Sequence, residues 1–120
     1  MIRLLRIAPE LPVADLKSAL SFYEQKLGFQ IASEMPGGNY AIVERDGIAI
    51  YLFQGGSQPY SPVALHVFTN GLDELCAELR DRGIFISQEI ARKPWGARDF
   101  RVTDDWGNQI KFTELTIESS

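Results

Sequence analysis

The chain has a single histidine, His66, and a single cysteine, Cys76, among its 120 residues. One cysteine cannot close an internal disulfide, which fits a reducing compartment. One histidine cannot by itself hold a transition metal that needs three or four protein ligands. Positive charge is scarce, with 12 Lys and Arg against 16 Asp and Glu and a net charge of −4. That balance argues against a nucleic-acid backbone as partner and leaves a cationic ligand tolerated or favoured. No apolar run approaches the ~20 residues of a membrane-spanning helix. No signal-peptide pattern precedes the first expected strand, so the expectation is a cytoplasmic protein. A glycine-rich phosphate loop after a strand and a nucleophile elbow are both missing, and with them the usual sequence support for nucleotide binding and for serine-type hydrolysis.

What the chain does have is alternation, punctuated by turns. Leu5, Ile7, Pro9, Leu11 and Val13 predict a strand over 5–13, although Pro9 and Pro12 remove ladder donors and favour an edge. Asp15 is a good N-cap for a helix carrying Leu16, Ala19, Leu20, Tyr23 and Leu27, stopped by Gly28. Strands are expected near 30–35, 40–45 and 48–54, separated by Pro36-Gly37-Gly38 and Asp46-Gly47. A linker loop over 54–62 follows, and then the plan restarts. Ala64–Phe68 predicts a strand, and Thr69 or Asn70 a cap. Leu72, Leu75, Cys76 and Leu79 make a helical stripe ended by Gly83, and a strand is expected near 84–90. Cys76 on that stripe is expected to be a small core residue.

The closing segment is the most specific. Pro94-Trp95-Gly96 makes a corner. Phe100 and Val102 alternate with Asp99, Arg101 and Thr103, and Asp104 to Asn108 supply turn chemistry before Ile110 and Phe112 alternate again. Both halves therefore run strand, helix, three strands. Leu16 and Leu72 are 56 positions apart, and Gly47 and Gly107 are 60 apart, which suggests a duplicated βαβββ unit. The expected fold class is α+β. Two such units, about 2–54 and 61–115 of a single domain, would form a curved, cup-shaped mixed sheet with the helices on its outer face.

The pattern P-W-G-x-R-x-F-x-V-x-D-x-x-G-N over 94–108, with Gly71-Leu72-Asp73-Glu74-Leu75 before it, resembles bleomycin resistance proteins of the glyoxalase/dioxygenase (vicinal-oxygen-chelate) superfamily. Leu11 to Leu16, Phe22-Tyr23 and Leu27-Gly28-Phe29 match the superfamily more broadly. The resemblance implies four metal-ligand positions in enzymes of the superfamily. Here they fall on Ala8, Tyr51, Ala64 and Lys111, none of which is a plausible ligand. A strand slip of two would bring His66 near the third, and Glu10 and Glu44 are further carboxylates without a fixed relation. The resemblance also implies a drug groove at Tyr40, Phe53, His66 and Trp95, with His66 standing where the family usually has a second tryptophan. It further implies a homodimer that exchanges its first strand about a proline matching Pro9.

The sequence thus predicts a binding protein without cofactor or catalytic residues, one that sequesters a planar or cationic antibiotic of the bleomycin type. The expected ligand residues are Tyr40, Tyr51, Phe53, His66, Phe68, Trp95 and Arg98. Flat rings suit planar ligands because they offer large apolar area at low entropic cost. His66 reads either as a bonded polar group in a half-buried wall or as a stacking residue. Trp106 reads as an exposed turn residue. The alternative is a metal-dependent lyase, isomerase or dioxygenase of the same superfamily with a degenerate metal site.

Overall fold

A computed structural model describes residues 1–55 and 61–115. The first unit comprises β1 (Glu10–Val13), α1 (Leu16–Ser21), a π-helical turn (Phe22–Lys26), β2 (Gln30–Glu34), β3 (Tyr40–Arg45) and β4 (Ile48–Gln54). The second comprises β5 (Ala64–Phe68), α2 (Leu72–Asp81), β6 (Ile86–Lys93), β7 (Ala97–Thr103) and β8 (Gln109–Leu115). Each unit builds its own four-stranded mixed sheet, in the orders β1-β4-β3-β2 and β5-β8-β7-β6. The first strand of each unit pairs parallel with the last, and the other pairs are antiparallel. The fold is α+β, and neither sheet closes into a barrel. The two hydrogen-bonded sheets remain separate.

The identical strand orders are the duplication in three dimensions, and the helix caps repeat it. The Leu16 amide donates to Gln54 Oε1 at 2.8 Å, and the Leu72 amide donates to Glu114 Oε2 at 3.2 Å. Gln54 and Glu114 lie 60 positions apart. In both units the end of the last strand thus satisfies an orphan N–H at the helix start. Asp15 adds the expected local cap, accepting from the Ser18 amide at 3.3 Å. At α2 the cap differs from expectation. Gly71 occupies the N-cap with φ 61° and no side-chain bond, so Glu114 replaces Thr69 or Asn70 from a distance.

Two further boundaries depart from the sequence expectation. The strand expected over 5–13 is formed only from Glu10, because residues 1–8 find no ladder partner among the described residues. Ile2, Leu4, Leu5 and Ile7 are 94, 97, 86 and 95 % exposed. The strand expected near 84–90 starts and ends later, and register shifts interrupt its pairing with β7. The expected linker over 54–62 lies partly outside the described residues. Trp106, expected to be exposed, is half-buried against the core.

Alternation turns one side of each sheet inward. Leu11, Val13, Ala41, Val43, Ile50 and Leu52 from the first sheet join Phe100, Val102, Ile110 and Phe112 from the second, with Leu16, Leu20, Leu72, Cys76 and Leu79 from the helices, in one core. Fully burying a Leu, Val, Ile or Phe contributes about 1.5–3 kcal/mol. Cys76 is 3 % exposed and burial pushes its thiol up, as suits a small core residue rather than a nucleophile.

A buried polar strut ties the two units together. The Tyr23 hydroxyl donates to Asp104 Oδ2 at 2.8 Å, and Asn108 Nδ2 donates to Asp104 Oδ2 at 2.9 Å and to the Pro12 carbonyl at 2.7 Å. The β7–β8 turn that presents Asp104 and Asn108 closes through Gly107 at φ 88°, where a Cβ would meet Pro62 at 3.0 Å. Burial first, and then the Asp104 carboxylate, raise the Tyr23 hydroxyl well above 10. Tyr23 therefore stays neutral in the fold after an unfolded tyrosine would ionise. Its contribution is complete below pH ~10 and is lost as pH rises beyond that. We expect stability to decline on the alkaline side from about pH 10 and the decline to shrink in Tyr23→Phe, as measured by denaturant midpoints between neutral and alkaline pH.

Candidate functional site

Opposite the core and the helices, each sheet presents an open face that the other described residues leave uncovered. Pairing fixes which residues share it. Tyr40 lies opposite Phe53, Ile42 opposite Tyr51, and Glu10 opposite Tyr51 on the other side. Tyr40, Ile42, Tyr51 and Phe53 are all half-buried, although among the described residues no segment packs over them as a second layer. The Tyr40 and Tyr51 rings meet edge to face at 5.9 Å. The Tyr40 hydroxyl donates to Glu10 Oε2 at 2.6 Å, and that carboxylate pushes it up to about 12. Rings held by neighbours in this way form a rigid platform.

The second sheet carries His66 and Phe68, two residues apart on β5 and so on the same face. Their rings stack at 6.0 Å with an interplanar angle of 23°, and His66 Nδ1 lies 3.3 Å from Thr113 Oγ1. Both are exposed. Of the expected ligand residues, Tyr40, Tyr51 and Phe53 thus lie on one sheet and His66 and Phe68 on the other. Trp95 stands at the β6–β7 turn, 61 % exposed, and makes no ring contact with any of them among the described residues. Arg98 projects from the opposite side of β7. It pairs with Asp73 on α2 at 2.9 Å and with Glu114 at 2.7 Å, and it holds both carboxyls below the usual range. In this chain Arg98 therefore docks α2 onto its sheet and does not reach the open face.

A cleft of about 540 Å³ lies between the units, bordered by Phe29, Ile48, Phe68 and Leu75 with Glu74 and Glu78. Arg45 at its edge is engaged by Glu78 at 2.7 Å and by the Leu27 carbonyl at 2.8 Å. Phe68 borders both this cleft and the open face.

A family model for the glyoxalase/bleomycin resistance protein/dioxygenase superfamily matches residues 3–112. The chain belongs to that superfamily. Curated bleomycin resistance proteins from Geobacillus stearothermophilus and Staphylococcus aureus are 27 % identical over 128 aligned positions, covering 91 % of this chain and 96 % of theirs. Among solved structures, the bleomycin resistance determinant encoded on transposon Tn5 superposes with a TM-score of 0.81 at 19 % identity, covering 95 % of this chain and all of that one. TioX from Micromonospora sp. ML1 gives 0.78 at 22 %, covering 92 and 98 % of the two chains. A lactoylglutathione lyase from Agrobacterium tumefaciens gives 0.77 at 17 %, covering 97 % of each. At these identities the structures share the fold.

The metal that superfamily enzymes use does not suit the residues present. Across the first sheet the neighbour of Tyr51 is Glu10, and across the second the neighbour of Lys111 is His66. Ala8 lies before β1 and Ala64 pairs with Gln109. Among the described residues no three of His, Cys, Asp and Glu converge on a common point. Glu10 is already taken by Tyr40, and a protonated Lys111 offers no lone pair.

The surroundings of Lys111 are set by strand pairing and carry no local signal in the sequence. Arg101 is directly opposite it on β7, and Asp99, two residues before Arg101 on the same face, is 1 % exposed. The alternation of β7 already separated Asp99 and Arg101 from Phe100 and Val102. Only the hairpin register brings Arg101 beside Lys111.

Proposed function

We propose that this protein binds and sequesters a planar small-molecule antibiotic of the bleomycin type, without chemistry, on the open faces of its two sheets. The observation that carries this reading is the aromatic platform of Tyr40, Tyr51 and Phe53, which the fold builds and braces and which no other described segment covers. Membership of the superfamily, and the family-level likeness to proteins named for bleomycin resistance, support it. Protection would follow from burying the drug's planar and metal-binding parts so that they cannot reach DNA.

The working unit in this reading is a homodimer. Residues 1–8 carry four exposed aliphatic side chains and precede Pro9, whose carbonyl accepts the first β1–β4 ladder bond from Tyr51 at 3.0 Å. An arm of that kind suits exchange with a second copy. Each groove would then set the first-sheet face of one copy against the second-sheet face and Trp95 of the other. Cytoplasmic placement belongs to the same reading.

The experiment is a thermal-shift series with bleomycin and other natural-product antibiotics, since a ligand that binds only the native state raises apparent stability. The expected result is a saturable upward shift with at least one planar compound. With that compound, Trp95→Ala should weaken binding by roughly 1–3 kcal/mol, the scale of stacking on an aromatic side chain, while the melting temperature of the free protein changes little. Unchanged affinity in Trp95→Ala would remove that ring from the groove.

A further inference from the structure

Four side chains cross the open face of the second sheet in one transverse row. They are His66 on β5, Lys111 on β8, Arg101 on β7 and Gln88 on β6. Lys111 and Arg101 are directly opposite one another, and like charges in that relation destabilise a sheet. A third cation, Lys93, reaches the same face. Its Nζ lies 3.5 Å from Asp99 Oδ1, and Arg101 Nη2 lies 3.5 Å from Asp99 Oδ2. Asp99 also accepts from Gln88 Nε2 at 2.8 Å. One carboxylate thus serves two cations, while Lys111 enters no ion pair among the described residues. Arg101 Nε is buried and has no hydrogen-bond partner among the described residues. A buried guanidinium N–H without an acceptor is costly.

The duplicated scaffold supplies its own control. In the first unit the same transverse row is Glu10, Tyr51, Ile42 and Ser33. The fold therefore does not require cations at these positions. A chain of net charge −4 has nevertheless gathered three of its 12 basic residues on this face. Mutual repulsion and an unanswered donor are the features that an anionic group would relieve.

We propose that Arg101 and Lys111 form an anion-binding subsite for a carboxylate carried on a planar aromatic ligand, whose ring lies on His66 and Phe68. The planar guanidinium suits the two oxygens of a carboxylate, and the Lys111 ammonium adds a point charge beside it. The His66–Phe68 stack begins one strand away from Lys111. This proposal rests on the ligand-binding reading above and sharpens it. The preferred ligand bears negative charge at one end, and a purely cationic one is disfavoured on this face.

The test uses two probes of the same shape, 2-naphthoate and its uncharged amide, 2-naphthamide. Binding is followed by the Arg Nε–H and backbone amide resonances. The expected result is binding of naphthoate about tenfold tighter than naphthamide, as a charge-assisted bond implies, with the Arg101 Nε–H resonance moving only for the acid. Lys111→Met should bring the two affinities close together and leave naphthamide binding intact. Lys111 is the primary variant because it holds no ion pair, whereas Arg101→Met also releases Asp99 and tests the same preference with a folding control. Equal affinities in the wild-type protein would overturn the anion subsite and leave the aromatic groove standing. A preference for the acid that survives both substitutions, or that maps to other arginines, would overturn it as well. No binding of either probe at millimolar concentration would overturn the subsite and the planar-ligand reading together.

Discussion

Asp104→Ala is expected to lower the stability of the fold by about 3–5 kcal/mol, since buried donors that lose their acceptor cost roughly 1–3 kcal/mol each. The carboxylate accepts from the Tyr23 hydroxyl, the Asn108 amide at 2.8 Å, Asn108 Nδ2, and the half-buried Trp106 amide at 2.9 Å. Tyr23 and Asn108 are fully buried. The side chain is therefore both a turn organiser and the centre of the strut between units, because Tyr23 belongs to the first unit and Asn108 reaches back to Pro12 in β1. For a domain of this size the melting temperature should fall by about 10–20 °C. Tyr23→Phe removes one donor and keeps the ring, so its cost should be nearer 1 kcal/mol. A calorimetric series of the two variants checks the order. An Asp104→Ala protein that melts within a degree or two of the wild type would mean that water reaches these donors, and the strut would then contribute little.

The same strut shows where sequence reading succeeds and where it stops. The spacing of Asp104, Gly107 and Asn108 announced a tight turn, and the turn formed. That its side chains would hold Tyr23, 81 residues earlier, is a tertiary fact without a local signal. β3, β4 and β5 have the bounds that alternation and the Asp46-Gly47 turn predicted, because period-two burial and left-handed turn residues are local causes. The cap of α2 escaped because Glu114 supplies it from 42 residues away. Arg98 is among the residues expected to contact ligand, and in the structure it pairs with Asp73 and Glu114. The strand parity that sends it toward Asp73 was readable from Phe100 and Val102, which share its side of β7. The division of the aromatic wall into two faces follows from the two separate sheets, which a list of β-forming residues cannot reveal. The charged row on the second sheet needed the β7–β8 register.

Removing residues 1–8 is expected to convert a dimer into a monomer. In the full chain Ile2, Leu4, Leu5 and Ile7 are almost wholly in water. Covering four aliphatic side chains gains about 6–12 kcal/mol for each arm, against an association cost of about 4–15 kcal/mol in lost translational and rotational freedom. Two arms exchanged at once therefore suffice for micromolar association, and one arm alone is marginal. In an extended arm Ile2 and Leu4 share one face with Arg6, and Leu5 and Ile7 share the other with Arg3, so covering all four aliphatics requires contact on both faces of the arm. Sedimentation of the full chain at micromolar concentration should give twice the 13.5 kDa chain mass, and its melting temperature should rise with protein concentration. The truncated chain should sediment as a monomer that still folds, because the ladder and the core begin at Pro9 and Leu11. Leu5→Asp in the full chain should act in the same direction by placing a charge in the buried strip. A dimer that survives the truncation would put the interface elsewhere and leave the arm without a role in it. A full-length monomer at these concentrations would remove both the exchange and the groove shared between copies, and would leave the Tyr40, Tyr51 and Phe53 platform to bind ligand within one chain.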